Sequence, residues 1–222
     1  RTERFKLRMP LSLCVSIQDW VDKRTILCYN YIMTNIKTTI KEVVTPQLSL
    51  SKVKKGLDQR GYASELEKSF IDISKNTFKD VKEALSVKST DDITINGILV
   101  DFKSSDADKK FKMPNLISIA VLKKKYYSEE ILYPFVIYSS KQHKVLDTHL
   151  FYVWELPWKH LSIANLGQGQ LQIKSMKKFL SDKDNTSKLT KDEWYQEFIN
   201  QGKLFYDKLE LITRERGKAW VC

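Results

Sequence analysis

Asn96-Gly97 stands between two short runs of period-two character, Asp92-Ile-Thr-Ile95 and Ile98-Leu-Val-Asp-Phe-Lys103. Asn-Gly between such runs is the strongest short-range hairpin signal, because both central residues of the tight turn take a left-handed backbone. A two-residue turn there fixes the register: Ile95 faces Ile98, Thr94 faces Leu99, Ile93 faces Val100, and Asp92 faces Asp101. Alternation puts Asp101 and Lys103 on one face, while Ile93, Ile95, Ile98, Val100 and Phe102 point the other way into a core. Two carboxylates thus stand opposite each other. Opposed like charges cost roughly 0.2–1 kcal/mol relative to a neutral pair, and more where water is excluded. A divalent cation with oxygen ligands compensates them.

Around the hairpin the pattern is mixed. Leu66, Phe70, Ile73 and Phe78 predict an amphipathic helix over Ser64 to Phe78, after the breaker stretch Gln59-Arg60-Gly61. Pro114 at a first-turn position predicts a helix through Leu116, Ile119, Ala120 and Lys123. Ile131 to Tyr138 and Leu150 to Leu156 are rich in β-branched and aromatic residues and read as central strands. Asn165-Leu-Gly-Gln-Gly-Gln170 follows as a loop with two glycines and three amides but no charge. Thr190-Lys-Asp-Glu193 forms a capping box for a last helix whose Trp194, Phe198, Phe205, Leu209 and Ile212 share a stripe. Helix, hairpin, helix, strands, helix is an α/β or α+β order, and no repeat or Pro/Gly/Ser-rich linker divides it.

Charge narrows the function classes. Thirty-eight Lys and Arg against 27 Asp and Glu leave a formal +11, which favours a polyanionic partner, nucleic acid or an acidic membrane surface. Cys14, Cys28 and Cys222 are too scattered for a disulfide framework, and the three histidines lack zinc-ligand spacing. A reducing, cytoplasmic setting is expected. No apolar run approaches the ~18 residues of a membrane span, so a soluble chain is expected. The chain begins at Arg1, with Met9 and Met33 as internal candidates for a start.

The order Asp92, then nine positions on Asp101-Phe-Lys103, resembles the PD-(D/E)xK nuclease superfamily, although Asp91 stands where that motif often has Pro. Members often place a Glu on the preceding helix, and Glu67 in Gly61-Tyr-Ala-Ser-Glu-Leu-Glu67-Lys-Ser-Phe70 matches that location. The resemblance narrows to type II restriction endonucleases of the HincII and EcoRV kind. Met33-Thr-Asn-Ile-Lys is similar to a family amino terminus, and Met113-Pro-Asn-Leu-Ile-Ser118 to the segment after the catalytic strand. Gln170-Leu-Gln-Ile resembles the recognition region, and Leu189-Thr-Lys-Asp-Glu-Trp194 the start of the last helix. The similarity runs from residue 33 to about 213. It implies a nuclease domain over 33–222, with residues 1–32 as an arm of unassigned role. The implied core is a central mixed sheet flanked by helices.

The resemblance implies a Mg2+-dependent, homodimeric endonuclease from a prokaryotic cytoplasm that cuts palindromic double-stranded DNA, leaving blunt ends with 5′-phosphates. Asp92 and Asp101 would hold Mg2+, Lys103 would orient or help deprotonate the attacking water, and Glu67 would be the helix acid. Glu65 is an alternative to Glu67, and a one-residue slip would exchange Asp91 with Asp92. Lys109, Lys110, Lys112 and the run Lys123 to Lys125 are phosphate-contact candidates or solvated faces. Asn115, Asn165, Gln168, Gln170 and Gln172 are candidate base readers, since amides pair bidentately with adenine. Met113 either wedges between base steps or packs against the following helix. Two other readings stay open: a structure-specific nuclease of the same superfamily, and a non-catalytic basic module that binds nucleic acid.

Overall fold

The computed structural model of the chain describes residues 35–51, 53–83, 92–109, 115–164 and 169–218. Residues 1–32, Met33, Asp91, Lys110, Lys112, Met113, Pro114, Asn165 and Gln168 lie outside these described residues. In chain order the strands are β1 (Val81–Glu83), β2 (Ile93–Ile95), β3 (Ile98–Val100), β4 (Lys103–Asp106), β5 (Asn115–Ser118), β6 (Ile131–Ser139), β7 (Lys144–Tyr152), β8 (Leu161–Ala164) and β9 (Gln170–Ile173). The helices are α1 (Gln59–Thr77), α2 (Ile119–Lys125), α3 (Met176–Ser181) and α4 (Lys191–Lys218). A helical segment from residue 35 precedes them, passing through a π-turn at Ile40–Val44.

The fold is mixed α+β, with a mixed central sheet flanked by helices. β1, β2 and β3 pair antiparallel, and β3 and β4 both run parallel to β6, with β7 antiparallel on β6's other edge. One register joins β3 and β4 to β6, from Leu99↔Ile131 through Lys103↔Phe135 to Asp106↔Tyr138. β3 and β4 are therefore one strand line, interrupted at Asp101-Phe102. A second, three-stranded sheet has the order β5-β9-β8.

Two apolar cores sandwich the main sheet. On one side Tyr62, Leu66 and Phe70 of α1 pack with Ile93, Ile95, Ile98, Val100 and Phe102. On the other, Leu99, Tyr133 and Phe135 pack with Trp194 and Phe198 of α4 and with the small sheet's Leu161, Leu171 and Ile173. The Asn96-Gly97 turn forms as expected, both residues with positive φ (48° and 82°), and the three pairs from Ile95↔Ile98 to Ile93↔Val100 are present. Thr190 and Glu193 make the capping box reciprocally: Thr190 N–H donates to Glu193 Oε2 at 2.8 Å and Glu193 N–H to Thr190 Oγ1 at 3.3 Å.

Several expectations are corrected. α1 begins at Gln59, because Asp58 caps it by accepting the Gly61 N–H at 2.8 Å, so Gly61 lies in the first turn instead of breaking the helix. Asn115–Ser118 is a strand, not the opening of a helix: it pairs with β9, and α2 starts only at Ile119, capped by Ser118. The strand expected over Leu150 to Leu156 ends at Tyr152, where Glu155 Oε2 accepts the Tyr152 N–H at 2.8 Å and curls the chain into a 3-10 turn. Along α4, Trp194 and Phe198 are fully buried, but Phe205, Leu209 and Ile212 are only half-buried. Among the described residues, no helix is long and apolar enough to cross a membrane.

Candidate active site

The interruption between β3 and β4 is where the candidate catalytic residues meet. The β2–β3 ladder stops at Ile93↔Val100, so Asp92 and Asp101 are not a ladder pair. Asp101 N–H instead donates to Leu132 O on β6 at 3.0 Å, and Asp92 Oδ2 accepts the Phe102 N–H at 2.6 Å. The register leaves Asp92 beside the break. Phe102 drops into the α1 core against Phe70, ring centroids 5.2 Å apart. Its chain neighbours Asp101 and Lys103 therefore face the opposite side, where the Lys103 ammonium donates to Asp101 Oδ1.

Asp101 is nearly buried, 6% exposed, while Lys103 keeps one side open. Burial pushes the Asp101 carboxyl up to about 7; Lys103 pulls against that, and the charges of Asp92 and Glu67 add to it. Glu67, half-buried on α1, is also raised, by burial first and then by Asp92, with Lys103 and Lys68 opposing. Asp92 and Lys103 therefore act electrostatically on both Asp101 and Glu67. Glu65 pairs with Lys68 at 3.1 Å and is not among the charges acting on Asp101.

A cleft of about 200 Å3 opens beside Lys103, lined among others by Arg60, Ser104, Phe135 and Met176. Sequence reasoning missed Arg60. It stands seven residues before Glu67, two helical turns, so both share one face of α1; that spacing was the available signal. A larger cavity of about 820 Å3, lined by Lys37, Glu130, Tyr152, Trp154, Glu155 and Lys191, includes none of the four groups.

The donor set is all oxygen and anionic, which suits a hard cation such as Mg2+, whose shell is usually one or two carboxylates plus waters and phosphate. Among the described residues, no three His, Cys, Asp or Glu side chains form a ready-made metal cluster. Asp92 and Asp101 are the two carboxylates at the break that could contribute to such a shell.

The amide candidates gather on the small sheet. Gln172 is opposite both Asn115 and Ser162, and Gln170 is opposite Ser118 and Ala164. Leu171 and Ile173 point into the core, so alternation sends Gln170 and Gln172 to the other face. The Gln172 amide donates to Asn115 Oδ1. Gln170 Oε1 is buried and finds no partner among the described residues. Ser162 joins this uncharged polar face and was not singled out from sequence. Lys109 is exposed at the end of β4, 3.7 Å from the buried Asp106. Lys123 and Lys124 are exposed on α2, and Lys125 pairs with Glu129 at 2.9 Å. No family model and no curated protein matches this chain.

Proposed function

We propose that the protein is a Mg2+-dependent type II restriction endonuclease that hydrolyses both strands of a short palindromic site in double-stranded DNA, leaving blunt ends. The observation that carries this reading is the convergence of Asp92, Asp101, Lys103 and Glu67 at the break between β3 and β4. Asp92 and Asp101 are the residues that would hold Mg2+, which when bound supplies charge stabilisation to the phosphate and acidifies water.

The remaining work belongs to the chain. Lys103 sits on Asp101 Oδ1 and is partly open to solvent, so it can leave the carboxylate and orient the attacking water against the phosphorus. Glu67, whose carboxyl burial and the Asp92 charge push upward, is suited to accept a proton near that water. Attack opposite the 3′ oxygen breaks the phosphorus–O3′ bond, and the departing oxygen takes a proton from solvent. The products are a 5′-phosphate and a 3′-hydroxyl. Arg60, lining the cleft beside Lys103, adds a cation for the phosphate.

Two features support sequence-specific cutting by a two-fold dimer. The uncharged face of Asn115, Ser162, Gln170 and Gln172 offers donors and acceptors of the kind that read base edges. On the outer half of α4, Leu204 and Leu211, two helical turns apart, are exposed on one face that a second copy would cover. The test is plasmid digestion with Mg2+ and with EDTA, followed by sequencing of the ends. Discrete bands with blunt, 5′-phosphorylated ends are expected. Structure-limited nicks would assign a repair or junction role, and no cleavage would leave a binding module.

A further inference from the structure

Tyr133 is fully buried, and its hydroxyl finds no hydrogen-bond partner among the described residues. The surrounding core needs no phenol. Phe135, Phe151 and Phe179 form an aromatic cluster with ring centroids 5.1–6.5 Å apart, and Tyr133 stacks on Phe135 at 6.0 Å. Phenylalanine would fill the same space without burying an unsatisfied polar group, which is destabilising.

The strand register supplies the context. Val100 pairs with Leu132 and Lys103 with Phe135 in one continuous parallel alignment, so Tyr133 is the neighbour of Asp101 across the strands. Laterally adjacent residues of parallel strands point to the same face, with strands ~4.8 Å apart. The backbone ties the two lines together at this place, through Asp101 N–H on Leu132 O at 3.0 Å. Asp101 is moreover a named charge acting on Tyr133, whose phenol is held well above its ordinary range by burial and by that carboxylate. Tyr133 therefore stays protonated and is available as a donor. Its hydroxyl is not within hydrogen-bond distance of Asp101 in the arrangement where Lys103 occupies Oδ1.

We propose that Tyr133 is a positioning residue for Asp101, its hydroxyl donating to the carboxylate, directly or across one enclosed water, when Lys103 leaves it and a divalent cation takes its place. This rests on the nuclease reading above and deepens it. A carboxylate that exchanges an ammonium for a metal needs a second contact to hold its plane, and hydrogen-bond partners behind metal ligands typically change affinity by ~10-fold or more when lost. The register puts the Tyr133 side chain on the same face of the sheet as Asp101, on the buried side. Unpaired in the metal-free arrangement, it gains its partner on loading.

Tyr133→Phe removes one oxygen and keeps the packing. Mn2+ binding to the protein without DNA, followed by paramagnetic resonance of the free ion, should weaken by about tenfold. The Mg2+ concentration for half-maximal cleavage should rise in parallel, with the maximal rate recovered at saturating Mg2+. Thermal stability without metal should be unchanged or higher, since an unsatisfied hydroxyl has been removed. If wild type binds Mn2+ and cuts while Tyr133→Phe matches it in Mn2+ affinity and Mg2+ requirement, the assignment of Tyr133 is overturned and the nuclease reading stands. If wild type neither binds Mn2+ nor cuts, both fall.

Discussion

Asp92 Oδ2 accepts the backbone N–H of Phe102 at 2.6 Å, the amide between Asp101 and Lys103 in the chain. One acid of the candidate site thereby holds the strand that carries two of the other groups, Asp101 and Lys103. The ladder ends at Ile93↔Val100 and one further backbone bond, Asp92 N–H to Val100 O at 3.0 Å, follows it; the side-chain bond then carries the attachment one step beyond, to Phe102.

Asp92 accordingly has two roles that substitution can separate. Asp92→Ala should abolish cleavage and lower stability by about 1–2 kcal/mol, because the Phe102 amide loses its acceptor. Asp92→Asn keeps an acceptor oxygen but not the charge, so it should stay near wild-type stability and still fail to cut. Thermal melts beside plasmid digestion read both; equal stability of the two variants would show that the Phe102 bond contributes nothing.

Asp101 predicts a pH dependence with a definite sign. Its carboxyl is raised from an ordinary 3.8 to about 7 in the fold. The folded chain therefore keeps this proton over a range where the unfolded chain has lost it. Its stabilising contribution is full below the unfolded pKa and is lost as pH rises through the folded value. Asp101→Asn mimics the protonated acid, so without metal it should melt higher than wild type at about pH 8, with the gain shrinking toward about pH 5. It should not cut, although DNA binding survives through phosphate contacts. Wild-type Mg2+ affinity should rise across the same interval and level off above it, because the metal requires the ionised acid. Melting in EDTA at several pH values checks the first part, and a gain independent of pH would refute it.

How much of this was legible in sequence follows from how local each feature is. The Asn96-Gly97 hairpin was readable because turn chemistry and alternation act over a dozen residues. The interruption at Asp101-Phe102 was not, because β6, which continues the line across it, lies some thirty residues downstream. Tyr133 is invisible for the same reason: nothing around Ile131 to Tyr138 distinguishes it from its aromatic neighbours until the register sets it beside Asp101. Leu116-Ile117 is a short apolar run that suits strand or helix, and pairing with β9 decides for strand. Gly61 misled by its identity, since a glycine in a first turn is harmless where Asp58 supplies the cap.

On the proposed function, the polar face of the small sheet reads bases and the exposed lysines contact phosphates, two roles that substitution separates. Gln172→Ala removes an amide and frees Asn115 from its partner, and should reduce discrimination between cognate and altered sites by ~1–3 kcal/mol. Lys109→Ala should instead weaken all sequences alike and lower the slope of log affinity against log salt by about one. Binding titrations at several salt concentrations with cognate and single-substituted duplexes distinguish them. A Gln172 variant that weakens every duplex equally would move that residue to the phosphate class.

Gly169, immediately before β9 at the loop end of the β8–β9 pair, ties this face to the helical core. Its φ is +54°, and its carbonyl accepts the Ile119 N–H that opens α2 at 2.8 Å. A Cβ there would stand 2.7 Å from Ile119 Cδ1 and 3.2 Å from Phe205 Cε1. Ile119 is itself buried and cannot swing away freely. Gly169→Ala thus combines a left-handed backbone penalty of about 1 kcal/mol with a clash that displaces either Ile119 or the hairpin. The expected result is a loss of ~1–3 kcal/mol in stability together with weakened discrimination at the bases read by Gln170, because that residue follows Gly169 directly. Gly169→Ala combined with Ile119→Val, which shortens the obstructing side chain, should recover part of the discrimination. Recovery of neither stability nor discrimination in the double variant would trace the effect to the backbone conformation alone.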